Sequence, residues 1–167
     1  MPHASYNSDR STRFTRKSLR LKQHNYGWAG TYFVTIHAVE CNPLFEIPEL
    51  HTILEEVWYA LPERFPNLTL DEFVIMPNHV HFIVRVEGNV EKPTTLGRII
   101  GVYKSLTAVA WLHHIETLRP TRIELPAHIW QRNYYDHIIR DALELEQKRK
   151  SIRDNPTRWK QRQEAPQ

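Results

Sequence analysis

The chain is poor in several features that would narrow its class at once. It holds a single cysteine, Cys41, among 167 residues, so no internal disulfide can staple it and no zinc-type cysteine pair is present. No apolar run approaches the ~18 residues that a membrane span requires. The polar, basic N-terminal stretch lacks a secretory h-region, and a cytoplasmic protein without a membrane partner is therefore expected. Glycine is scarce, at 5 residues, and none of it forms a phosphate-cradling glycine-rich loop. No internal repeat is visible. What remains is a hydrophobic content of 41% in a length close to the ~100–200 residues of one domain, which implies one cored domain with tails.

The net charge of +3 is modest, but its distribution is uneven. Arg10, Arg13, Arg16, Lys17, Arg20 and Lys22 stand near the start against Asp9 alone. Lys148, Arg149, Lys150, Arg153, Arg158, Lys160 and Arg162 stand near the end against Asp154 alone. Two basic clusters bracketing a more acidic middle suit phosphate binding with counterion release. The same pattern also describes ordinary solvated tails.

Residues 1–24 have no hydrophobic period and read as a flexible basic arm. From Gly30 the run Thr31 to Val39 is β-branched and aromatic, the composition of a strand; His37 on it reads as a packed or surface histidine. Leu50, Ile53, Leu54, Val57, Trp58 and Leu61 fall at helical spacing. Leu68 to Met76 reads as a second strand that hairpins through Pro77-Asn78 into a third, His79 to Val84. Thr95 to Leu112 is an amphipathic helix, with Arg98 and Lys104 placed off its apolar stripe, toward a phosphate backbone or simply toward solvent. Glu116 to Pro126 reads as a loop and Ile129 to Ile139 as a fourth strand. Asp141 with Glu144 three residues on forms a capping-box pattern, and the last helix is expected to end at Pro156. The order βαββαβα is that of an α+β, ferredoxin-like antiparallel sheet with helices packed on one face.

One stretch carries chemistry. In Met76-Pro77-Asn78-His79-Val80-His81, residues two apart on a strand share a face at roughly 6.5–7 Å, so His79 and His81 can offer two imidazoles to one metal ion. Two further blocks follow in order: Ile129-Trp130-Gln131-Arg132-Asn133-Tyr134-Tyr135-Asp136-His137-Ile138-Ile139-Arg140-Asp141, and Ser151-Ile152-Arg153-Asp154-Asn155-Pro156. Together these resemble the HUH superfamily of single-tyrosine transposases, in its REP-associated tyrosine transposase branch, over about residues 25–160. Residues 161–167 would be a tail.

The resemblance implies a ferredoxin-like fold and a metal-dependent endonuclease that nicks and joins single-stranded DNA near a hairpin such as a REP element. In that family a tyrosine attacks a phosphodiester, leaving a 5′-phosphotyrosine and a free 3′-OH, while a divalent ion stabilises the developing charge. Carried over by position, His79 and His81 match the paired ligands and Asn155 the third, a donor set suited to Mg²⁺ or Mn²⁺. The tyrosine position is occupied by Ser151. A serine hydroxyl is far less acidic than a phenol of pKa about 10, has a shorter reach, and has no evident base beside it in sequence. Tyr134 and Tyr135 are the nearest substitutes, one expected inward and one outward, with packing or base stacking as their first reading. His137 is placed where it could approach the metal or a phosphate.

DNA contacts are expected from Arg13, Arg16, Lys17, Arg20, Lys104, Tyr135, Arg149, Lys150 and Arg153. The expected partner is single-stranded or hairpin DNA, bound by a monomer or homodimer associated with the nucleoid. Two classes stay open at this point, an active transposase-like enzyme and a catalytically silent DNA-binding descendant. A ferredoxin-like RNA-binding module is the weaker third, because stacking modules need no metal ligands.

Overall fold

Alternation along the first strand sets the two faces of the molecule. In the computed structural model, which describes residues 29–88, 94–118 and 125–164, β1 (Gly30–His37) buries Tyr32, Val34 and Ile36 completely in the main core. Phe33, Thr35 and His37 turn to the opposite face, as the period of two requires. α1 (Pro48–Arg64) opens with proline in its first turn, where no helical N–H is needed. Its Leu50, Leu54, Trp58 and Leu61 recur every three or four residues and are buried. The helix continues past Pro62 to Arg64, because a proline one turn from the end forfeits a single hydrogen bond and keeps a helical φ.

β2 (Leu68–Met76) and β3 (His79–Val86) form the hairpin through Pro77-Asn78. α2 (Leu96–Leu118) is longer than its sequence reading: Glu116 to Leu118, expected in a loop, complete its last turn. β4 (Tyr135–Ile139) is shorter than expected. The preceding Trp130 makes only an isolated bridge with Ala38, and side chains fix this segment instead. Trp130 Nε1–H donates to Thr107 Oγ1 at 2.8 Å, and Lys104 Nζ donates to the carbonyls of Gln131 at 2.6 Å and Arg132 at 3.1 Å.

The strands run antiparallel in the order β2-β3-β1-β4, the ferredoxin-like arrangement. α1 and α2 cover one face. There Trp58 stacks on Phe73 with ring centroids 4.7 Å apart, and Phe82 and Tyr103 close around it. Each fully buried side chain of this size contributes roughly 1.5–3 kcal/mol relative to exposure.

The expected helices on one face are α1 and α2; the last helix, α3 (Ala142–Glu164), lies on the other. Its Ile152 is buried with Ile83 and Ile139 in a second, small core against Phe33, Val74 and Leu145. A bulge in β2 secures it. Leu70 pairs with Val84 and Phe73 with Phe82, so Asp71 and Glu72 together oppose the single residue Ile83, as in a β-bulge. Both acids meet α3: Asp71 pairs with Arg149, and Glu72 with Arg153 one helical turn later.

The start of α3 carries the expected cap, since Glu144 N–H donates to Asp141 Oδ1 at 2.8 Å. The return bond falls one residue early, from Arg140 N–H to Glu144 Oε2 at 2.8 Å. Pro156 does not end α3, which runs to Glu164. The missing N–H costs one bond, while Arg158 reaches back to Asp154 at 3.2 Å and Trp159 approaches His79 beyond the proline. The expected boundary at residue 161 therefore falls inside α3.

Candidate functional site

Val80 and Phe82 are held in the main core, which forces His79 and His81 to the face under α3. The two rings meet there, with Nε2 of His79 3.0 Å from Nε2 of His81. Each outer nitrogen is tied. His79 Nδ1 lies 2.7 Å from Asn78 Oδ1, and His81 Nδ1 lies 2.8 Å from Thr35 Oγ1. Thr35 and His81 are cross-strand partners, as are His37 and His79, whose ring centroids are 5.4 Å apart. Phe33 stacks on His81 at 5.3 Å, and Lys148 of α3 lies 4.9 Å above the Phe33 ring.

The environment keeps both imidazoles neutral. Burial, then the neighbouring His37 and Arg162, lowers His79 to about 4. Burial, then His79, His37 and Lys148, lowers His81 to about 3. Burial also lowers His37. A neutral imidazole is the form that binds a metal ion, and outer nitrogens held by hydrogen-bond partners are the usual support of histidine ligands. With their Nε2 atoms 3.0 Å apart and facing each other, the two neutral imidazoles are a donor pair that would fit a divalent cation. Among the described residues no group of three or more His, Cys, Asp or Glu is placed to hold an ion. Among the described residues, an amide such as that of Asn155 or a backbone carbonyl would be the further protein donor.

The model of the family described as IS200-like transposase matches residues 48–155, more than half of the chain. The protein belongs to the IS200-like transposase family. An uncharacterized protein of Haemophilus influenzae is 33% identical to it over 174 aligned residues, covering 89% of this transposase-family chain and 92% of the relative. Two solved structures share the fold. One is a REP-associated tyrosine transposase bound to a REP hairpin, with TM-score 0.56, 17% identity, and coverage of 77% of this chain and 67% of that one. The other is a candidate transposase of Deinococcus radiodurans R1, with TM-score 0.53, 14% identity, and coverage of 87% and 98%.

The remaining positions singled out in the sequence are distributed across this transposase fold. Ser151 and Asn155 are partly buried, one helical turn apart on α3. Asn155 lies on the stripe of Lys148, Ile152 and Trp159, the side of α3 that meets the sheet. Tyr134 packs against the main core, whereas Tyr135 is 49% exposed and occupies the cross-sheet row of His81 and Thr35. His137 does not approach the imidazole pair, because its Nε2 is bonded to Glu144 Oε1.

Three of the basic residues expected at DNA have protein partners. Lys104 holds two carbonyls, and Arg149 and Arg153 clamp α3 to the bulge. Lys150 is exposed. Arg13, Arg16, Lys17 and Arg20 lie outside the described residues. No helix among the described residues is long and apolar enough to cross a membrane.

Sequence reasoning missed Thr35, Asn78, Asp71 and Glu72. Asn78 was visible only as a turn former, and the other three acquire roles through strand register. An acidic pair interrupting the alternation of a strand is the one signal that points to the bulge.

Proposed function

We propose that this protein binds single-stranded or hairpin DNA with a divalent ion, Mg²⁺ or Mn²⁺, held by His79, His81 and Asn155, and that it does not form the covalent intermediate of its family. The observation that carries this reading is the convergence of the two neutral imidazoles, Nε2 to Nε2, at 3.0 Å beneath α3. Bound there, the ion would supply Lewis-acid stabilisation of a phosphodiester. Lys150 and the arm residues Arg13, Arg16, Lys17 and Arg20 would hold neighbouring phosphates, and Tyr135 offers an exposed ring for base stacking. Arg149 and Arg153 would serve the DNA indirectly, by fixing α3. Such a protein belongs with the nucleoid in the cytoplasm.

The nucleophile is what this site lacks. In the family chemistry the tyrosine oxygen bonds to phosphorus as the 3′-oxygen leaves. Ser151 stands at that position with a hydroxyl that is both less acidic and shorter in reach. The test is a denaturing gel of a hairpin-bearing single-stranded oligonucleotide incubated with protein and Mn²⁺. The expected result is DNA binding without a covalent adduct for the natural sequence. Ser151→Tyr should gain nicking and an adduct, and further substitution of His79 or His81 should abolish both.

A second reading is favoured by one observation, the exposure of Tyr135 on the row of Thr35 and His81. Cutting by the unaltered protein that disappears in Tyr135→Phe would move the nucleophile to β4. Absence of both binding and cutting would refute the DNA reading.

A further inference from the structure

The hydrogen bonds behind the imidazole pair give Asn78 and Thr35 distinct roles. Asn78 has its amide orientation fixed, because Nδ2–H donates to the carbonyl of Cys41 at 3.2 Å. Its Oδ1 can only accept, so His79 carries its proton on Nδ1 and turns a bare Nε2 toward His81. In the loop that supplies the Cys41 carbonyl, Glu40 and Cys41 have φ of 53° and 56°, a left-handed conformation that non-glycine residues rarely adopt. The same loop grips the turn twice more, through Ala38 N–H to Asn78 O at 2.8 Å and Phe45 N–H to Pro77 O at 3.0 Å.

The other imidazole has no such fixed partner. Two bare nitrogens cannot face each other at 3.0 Å unless something lies between them, either the N–H hydrogen of one ring or a metal ion bound to both. A neutral His79 that holds its one proton on Nδ1 has none to place on Nε2. In the proton-bridged state, His81 must therefore carry its proton on Nε2 and accept at Nδ1. In the ion-bridged state it must carry its proton on Nδ1 and donate there. The atom facing Nδ1 in both states is the hydroxyl of Thr35, 2.8 Å away and on a residue only 6% exposed. A hydroxyl can donate or accept by rotating, which an amide or a carbonyl cannot.

We propose that Thr35 is a positioning residue whose hydroxyl reverses its hydrogen bond to His81 as a divalent ion replaces the bridging proton, while Asn78 holds His79 in one tautomer throughout. The proposal rests on the ion reading given above. It also gives the contact a direction of effect. The bond accepted from Nδ1–H of a metal-bound ring is charge-assisted and stronger than the neutral bond donated in the other state, so Thr35 favours the ion-bound form.

The test is two-bond ¹H–¹⁵N correlation spectroscopy on protein labelled at histidine, before and after adding Zn²⁺ as a diamagnetic probe, with Mn²⁺ affinity measured by calorimetry. The expected result is that His79 keeps its proton on Nδ1 in both states, while that of His81 moves from Nε2 to Nδ1. Thr35→Val should weaken Mn²⁺ binding about tenfold, the lower end of what partners behind histidine ligands contribute, and Thr35→Ser should restore it. Failure of Zn²⁺ to perturb either Nε2 would overturn the ion reading and this one together. If His81 already carries its proton on Nδ1 before Zn²⁺ is added, or Thr35→Val binds Mn²⁺ as the natural protein does, only the role of Thr35 is overturned.

Discussion

Acidification should weaken this fold before its carboxylates begin to titrate. His79 and His81 are lowered from 6.5 to about 4 and about 3, in each case first by burial. A histidine whose folded pKa lies below its unfolded value takes up a proton more readily once unfolded. Its contribution is thus complete above pH 6.5 and is lost as the pH falls toward the folded value. Each ring can remove up to ~1.36 kcal/mol per pH unit, so two rings between pH ~6.5 and ~4.5 remove at most ~5 kcal/mol. Both rings keep part of their surface in water, and solvent screening reduces this to ~2–3 kcal/mol. That is a large share of the ~5–15 kcal/mol of a typical domain.

Most of the window lies above the pH at which the depressed carboxylates begin to lose their contribution, Asp71 lowered by its bond from Arg149 and Glu144 lowered by the Arg140 N–H. Urea unfolding at several pH values across it, for the natural protein and for His79→Asn with His81→Asn, measures the effect. The natural protein should lose stability more steeply than the variant. Parallel acid limbs, or a natural protein that gains stability on acidification, would refute the burial argument.

Ile152→Ala should cost ~2–4 kcal/mol by emptying the small core under α3, and hydrogen exchange should show α3 opening before the sheet. A double-mutant cycle with Asp71→Asn and Arg149→Met should return a favourable coupling that shrinks in high salt, since both partners are partly exposed; a coupling of zero would leave the bulge without its assigned role. DNA affinity should fall with salt by roughly 0.7–0.9 in log K per neutralised phosphate. Deleting residues 1–22 should flatten that dependence, and an unchanged slope would exclude the arm from the interface.

Strand alternation made the sheet and the shared face of His79 and His81 legible in the sequence, because a period of two leaves no other place for Val80 and Phe82. Helix ends were less legible. Pro62 and Pro156 look like stops, but in each case tertiary contacts or the nearby helix end outweigh one lost bond. The fourth strand was overread because Ile129 to Tyr134 is aromatic and β-branched, while its backbone is satisfied by Lys104 and by one isolated bridge. Thr35 could not be found from spacing at all. It lies 46 residues from His81 and meets it only through the β1–β3 register. The ion pairs of α3 were hidden for a related reason: Arg149 and Arg153 look free in the sequence until the bulge places two acids opposite them.

The most direct test of the central claim counts the nitrogens on the ion. Mn²⁺ added to protein carrying ¹⁵N-histidine can be examined by electron spin-echo envelope modulation, which reads the nuclei bound to the metal. Two histidine nitrogens are expected, one lost in each of His79→Asn and His81→Asn and both retained in Ser151→Tyr. A spectrum without histidine coupling, or one unchanged when His79 and His81 are both replaced, would contradict the claim.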